Sequence, residues 1–132
     1  MISLSKELFL QIVKHCKEEL PDEACGILAG KGSAVEKAYE MINADKSPEN
    51  FIMDPAEQLK VMKELRNLGL EMVGIYHSHV ASEAYPSSRD IELAFYPEAR
   101  YCIVTLKDKN NPRIRAFRIK EGKISEEEIS IK

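Results

Sequence analysis

His77-Ser78-His79 is followed after seven residues by Ser87 and, after two more, by Asp90. Two imidazoles and one carboxylate are ligands that zinc favours in hydrolytic sites, where three protein ligands leave the fourth tetrahedral position open to water. An open site of this kind can carry out hydrolysis.

The chain around these residues is suited to bringing them together. Glu71-Met72-Val73-Gly74-Ile75-Tyr76 is rich in β-formers, and residues two apart on a strand project from one face. Val73, Ile75, His77 and His79 are therefore expected to share a side, apolar first and then ligating. Val80 to Pro86 has loop chemistry, and Ser87 or Ser88 reads as the N-cap of a helix through Ile91, Leu93, Ala94 and Phe95. That places Asp90 in the first turn. Each residue alone has a plainer explanation, since an acid in a first turn is favoured by backbone donors and the helix dipole, and a His pair can be a satisfied polar pair at a sheet end. The spacing of all four together favours the metal.

Hydrolysis also needs a titratable base near the bound water. Glu83 lies in the loop after His79, and a better candidate is Glu23, in Pro21-Asp22-Glu23-Ala24-Cys25-Gly26-Ile27-Leu28-Ala29-Gly30, at the start of an apolar strand.

These residues resemble the JAMM or MPN-plus zinc metalloproteases, whose pattern is a glutamate near the start of the domain, then His-x-His, seven residues, Ser, two residues and Asp. Every part is present here, and the Pro-x-Glu-x-Cys-Gly-x-Leu context around Glu23 is similar to the small prokaryotic and archaeal members. The resemblance covers nearly the whole chain. It implies that His77, His79 and Asp90 bind one catalytic Zn2+, that Glu23 activates the water there, and that Ser87 stabilises the oxyanion. It also implies a single MPN (JAB) domain over residues 1–132, an α/β fold with a curved mixed sheet flanked by helices and related in outline to cytidine deaminases.

Bulk properties agree with such a domain. The chain has 132 residues, 44% hydrophobic and 31% charged, enough for one core. A net charge of -3 leaves no excess of cations for phosphates and argues against nucleic-acid binding. Cys16, Cys25 and Cys102 form neither a disulfide framework nor a Cys-x-x-Cys pair, which points to a reducing, cytoplasmic compartment. Cys25 reads as a buried small hydrophobe. No secretory signal pattern or membrane-spanning run is present, so no membrane is expected as partner.

Along the chain, Leu8, Phe9, Ile12, Val13, Cys16 and Leu20 recur at helical spacing from Ser5 to about Leu20, with His15 expected on the exposed polar side. Cys25 to Gly30 and Ala34 to Ile42 form a hairpin, and Asn43 to Asn50 a loop. Phe51 to Met53 reads as a short strand. Asp54 caps a helix that begins at Pro55 and stops at Gly69, with Leu59, Met62, Leu65 and Leu68 as its apolar stripe. Arg100 to Leu106, Arg113 to Lys120 and Lys123 to Ile131 are the remaining strands. Arg113, Arg115 and Arg118 read most simply as a solvated face.

The resulting expectation is zinc-dependent hydrolysis of a peptide or isopeptide bond at the C-terminus of a ubiquitin-like or sulfur-carrier protein, the substrate class implied by the resemblance. The glycine-rich tail of such a substrate would bind extended, as an added strand. Two alternatives stand beside it: a non-catalytic scaffold with a structural zinc, and another metal-dependent hydrolase. The deaminase His-x-Glu and Pro-Cys-x-x-Cys pattern is absent, and structural zinc sites have four protein ligands rather than three. A homodimer is compatible with the sequence, which does not fix the oligomeric state.

Overall fold

In the computed structural model, which describes residues 1–132, the chain runs β1 (Ile2–Leu4), α1 (Lys6–Glu18), β2 (Cys25–Lys31), β3 (Ala34–Met41), α2 (Pro55–Leu68), β4 (Glu71–His79), α3 (Ser88–Glu92), β5 (Arg100–Thr105), β6 (Arg113–Lys120), β7 (Lys123–Glu127) and β8 (Ile129–Ile131). The strands form one mixed sheet in the order β7-β6-β5-β4-β2-β3-β1-β8. β4 and β5 run parallel, and so do the pairings of β1 with β3 and β8; the other pairings are antiparallel. β7 and β8 are separated only by Glu128, yet they occupy opposite ends of the order. The sheet must therefore curl until its two edges nearly meet. Glu127 sits at that junction and takes the N-terminal amine at 3.4 Å, Arg100 at 3.1 Å and Arg118 at 3.0 Å.

A helix covers each face. Ile12, Val13 and Cys16 of α1 pack with Leu28, Tyr76, Cys102 and Val104, while Val61 and Leu65 of α2 pack with Cys25, Ile27, Ile75 and Tyr101. Because both faces of the central strands are buried, β2 and β5 read as unbroken apolar runs rather than alternating ones. Fully burying one such side chain contributes about 1.5–3 kcal/mol, whereas an exposed pair such as Arg89 with Glu92 contributes about 0–1. Apolar burial therefore sets how the helices dock. Caps define where they start: Ser5 Oγ accepts from Leu8 N at 3.1 Å, and Asp54 Oδ2 accepts from Glu57 N at 3.1 Å. α2 ends at Gly69, whose φ of 69° is the left-handed conformation of a helix stop.

Several local expectations change. Ile2–Leu4, unassigned from sequence, is a strand because it pairs at the closing edge, and Lys123–Ile131 splits into two strands where the chain crosses from one edge to the other. Phe51–Met53 contributes a single bridge, Met53 to Asn43, instead of a strand. The buried stripe of α2 is Val61 and Leu65, while Leu59 and Leu68 are exposed. The helix after Ser87 stops at Glu92, leaving Phe95 outside it and exposed. Val73 does not share a side with Ile75. The β2–β4 register slips between Leu28 and Ala29, and this bulge turns Val73 towards the α1 core while Ile75 faces the α2 core. Beyond the bulge, Ile75, His77 and His79 keep to one face.

His15 is not a surface residue. It is 4% exposed, and its Nδ1 shares a 2.6 Å hydrogen bond with the buried Tyr76 hydroxyl. A helical wheel sets a polar residue outward by default, but a phenol buried in the opposing sheet gives this one a partner inside. The Tyr76 ring in turn occupies the space over Gly26, where a Cβ would lie 2.1 Å from it.

Candidate metal centre

The site lies at the C-terminal end of β4. His77 and His79 point to the α2 face, and the capping box of α3 brings Asp90 back to them: Ser87 Oγ accepts from Asp90 N at 3.1 Å, and Asp90 Oδ2 accepts from Ser87 N at 2.9 Å. Capping does not take Asp90 away from the histidines, for the same Oδ2 lies 3.2 Å from His77 Nε2 and 3.0 Å from His79 Nε2. The two Nε2 atoms are 3.2 Å apart. All three residues are buried, and their ligating atoms lie within 4.8 Å of one another.

Hydrogen bonding shows what such a cluster is suited to hold. His79 Nδ1 lies 2.7 Å from the carbonyl oxygen of Glu83, which can only accept, so Nδ1 carries the proton. In the neutral ring, His79 Nε2 then presents a lone pair to a carboxylate oxygen. Burial lowers the pKa of His77, so that ring favours its neutral form. Burial opposes ionisation of Asp90, but the adjoining His77 and His79 rings and the Ser87 N–H outweigh it and hold the carboxyl well below the usual carboxylate range. For His79 burial lowers the pKa, and the Asp90 carboxylate and Glu83 carbonyl raise it to a net upward shift. Converging lone pairs of two nitrogens and one oxygen fit a divalent cation, and this N2O set suits zinc. His77 Nδ1 has no hydrogen-bond partner; its ring stacks on Phe51 at 4.5 Å between centroids.

Glu23 joins the same cleft, lined also by His79, Ser87, Asn50, Ser82 and Arg89. It is 3% exposed, and its Oε1 has no partner. Burial pushes its carboxyl up to about 8, against the pull of His79. A carboxyl with an unpaired oxygen and a pKa near neutrality, in a polar cleft, is placed to exchange a proton or a hydrogen bond with whatever enters.

The backbone at Glu23 is fixed on every side. Its N–H donates to Ser47 O at 2.9 Å, and its carbonyl accepts from Asn43 Nδ2 at 2.9 Å. The N–H of the next residue, Ala24, donates to Ser78 Oγ at 2.8 Å, and the Ala24 carbonyl accepts from Ser78 N at 3.0 Å. Ser78, between the two histidines, thus ties the Glu23 segment to β4. Asn43 and Ser78 are positioning residues that sequence reasoning missed. The signal for Asn43 was present: Asn in a turn-rich segment bonds nearby backbone, and its Oδ1 accepts from both Asp45 N and Ile52 N at 3.0 Å.

Cys25 pairs with His77 across β2 and β4 but is fully buried, with its thiol pushed up to about 12 by burial. It is a packing residue. Arg115 pairs with Glu126 and lies over Tyr85 and Phe117, while Arg118 pairs with Glu127 from the other side of β6, so the arginines do not form the single solvated face expected.

Residues 5–120 match the family of prokaryotic homologues of the JAB domain. The chain belongs to that family. Over 133 aligned residues it is 39% identical to the CysO-cysteine peptidase of Mycobacterium tuberculosis, covering 99% of this chain and 91% of the relative. It is 37% identical to a desampylase of Pyrococcus furiosus, covering 83% and 76%. A solution structure of a protein from Desulfitobacterium hafniense superposes with a TM-score of 0.91 at 43% identity, covering 100% of this chain and 93% of that one. The family is that of the small prokaryotic JAMM metalloproteases, and this JAB protein is a hydrolytic enzyme with the curved mixed sheet and flanking helices of the JAB/MPN fold. No helix is long and apolar enough to cross a membrane.

Proposed function

We propose that this JAB protein is a zinc-dependent peptidase that cleaves the peptide or isopeptide bond behind the C-terminal tail of a small ubiquitin-like or sulfur-carrier protein. The observation that supports this best is the convergence of His77, His79 and Asp90 on one point beside the unpaired buried carboxyl of Glu23. In this reading the three hold Zn2+ and Glu23 is the general base. When bound, zinc supplies a Lewis acid that acidifies water and polarises the scissile carbonyl.

The chain's own residues do the rest. Glu23 takes the proton of the attacking water and returns it to the leaving amine as the C–N bond breaks. Ser87 Oγ already accepts from Asp90 N, which leaves its O–H to donate to the oxyanion. Glu83 fixes the tautomer of His79 through its carbonyl.

The relatives named as a CysO-cysteine peptidase and a desampylase support the substrate class. An extended tail suits the polar cleft, but it does not extend the sheet. The free edges are β7 and β8, and neither lines the cleft. Backbone pairing would instead use the walls Pro48–Asn50 and Val80–Ser82. Three buried unpaired cysteines support a reducing, cytoplasmic setting.

The test is to incubate the zinc-loaded protein with ubiquitin-like and sulfur-carrier proteins of the same cell carrying a linear extension, a lysine isopeptide or a single amino acid. Chelator-sensitive release of the free tail is expected, along with a sharp loss when the tail glycines are made bulky. Absence of zinc-dependent cleavage in all three arms would defeat the proposal.

A further inference from the structure

The Glu83 carbonyl that orients His79 sits on a loop, and loops move unless something holds them. Here the hold comes from β5. Thr105 lies opposite His79 in the parallel β4–β5 pairing, and its Oγ1 donates to the carbonyl of Ser82 at 2.6 Å. The same hydroxyl oxygen accepts from Lys107 N at 3.1 Å, so its single proton is committed to Ser82. The Ser82 carbonyl belongs to the peptide unit that leads into Glu83. One residue later, Ala84 is buried against Ile103 and Phe117, and Tyr85 meets Phe117 edge-on at 5.4 Å. The Glu83 carbonyl is held between these two anchors and accepts from both His79 Nδ1 at 2.7 Å and Tyr85 N at 2.9 Å.

We infer that Thr105 is a positioning residue for the metal centre: by pinning the Ser82–Glu83 peptide, its hydroxyl keeps the Glu83 carbonyl on His79 Nδ1 and so keeps Nε2 as the ligating nitrogen. Thr105 lies outside the His-x-His to Asp spacing, and its hydroxyl bonds Ser82 and Lys107 rather than any ligand. The Lys107–Glu83 ion pair, at 3.0 Å, joins the same loop from its side chain but is exposed at both ends, so it contributes little. The inference rests on the proposal that His77, His79 and Asp90 hold zinc.

The experiment is zinc affinity by chelator competition, with long-range nitrogen–proton NMR of the zinc-loaded histidine rings to read the His79 tautomer. Partners that orient metal ligands are worth about 10- to 100-fold in metal affinity, and Thr105 acts one bond further out. Thr105→Val is therefore expected to weaken zinc binding about tenfold and to exchange the His79 Nδ1 proton faster. Thr105→Ser, which keeps the hydroxyl, is expected to restore both, and Lys107→Ala to leave both unchanged. If Thr105→Val unfolds, shown by circular dichroism, the comparison of Thr105→Ser with Lys107→Ala carries the test. Wild-type affinity in a folded Thr105→Val overturns the inference, as does a Thr105→Ser variant with weakened zinc binding. Wild-type protein that takes up no zinc overturns the metal-site reading itself, a different result from a wild type and Thr105→Val that bind equally well.

Discussion

Asn43 donates from Nδ2 to the main-chain carbonyl of Glu23 at 2.9 Å, and through the same amide it gathers the loop that forms one wall of the cleft. A residue far from the metal-ligand spacing thus decides where the proposed base stands. Asn43→Ala would leave the Glu23 carbonyl without its donor in a buried position, at a cost of about 1–3 kcal/mol. The expected outcome is a lower midpoint in urea unfolding, with kcat falling more than KM rises and zinc content, by metal analysis, unchanged. Equal losses in zinc content and kcat would assign Asn43 to the ligands rather than to the base.

Glu23→Gln is expected to retain zinc and lose turnover by about 100- to 10,000-fold, the range of general acid–base contributions. The same substitution gives a pH signature in the chelated protein. Burial raises the carboxyl from 4.5 to about 8 in the folded state, so between those values the native state holds a proton that the unfolded chain has released. The Glu23 contribution is thus fully present below about pH 4.5 and declines as pH rises towards 8, by at most about 1.4 kcal/mol per pH unit. Metal-free Glu23→Gln lacks this slope. Its stability should match wild type near pH 4.5 and exceed it increasingly up to pH 8. Parallel stability–pH curves from denaturant titrations would contradict the assignment of a buried, uncompensated carboxyl.

Ser87→Ala separates a cap from an oxyanion donor. Loss of the Ser87 cap should cost about 1 kcal/mol of stability. If the hydroxyl also donates to the oxyanion, kcat should fall by about 100- to 1,000-fold with little change in KM. A kcat within twofold of wild type in a protein destabilised by the expected amount would leave only the cap.

The packing of Tyr76 can be tested without any substrate. Gly26→Ala places a Cβ 2.1 Å from the Tyr76 ring and 2.5 Å from the Tyr39 carbonyl, so the strand or the ring must shift, at about 1–3 kcal/mol. Tyr76→Phe removes the partner of His15 Nδ1 and should cost a similar amount. Thermal unfolding of both variants checks this, and zinc stoichiometry should remain at the wild-type value because the ring faces α1, away from the ligands.

The sequence by itself determined the local placement of the candidate ligands, because His77 and His79 need only strand periodicity to share a face, and Ser87 and Asp90 need only a capping box to be held together. Those are local rules, satisfied within a few residues. It also placed α2 between Pro55 and Gly69, where a fixed φ and a left-handed stop leave little choice. What only the tertiary structure decided depends on partners distant in the chain. The bulge opposite Leu28 turned Val73 to the other core, Tyr76 drew His15 inside, and curling of the sheet divided Lys123–Ile131 between two edges. The settings of Glu23 and His79 belong to the same class. Asn43, Ser78 and Thr105 act through single hydrogen bonds to backbone groups, and a backbone carbonyl has no letter in the sequence to announce it.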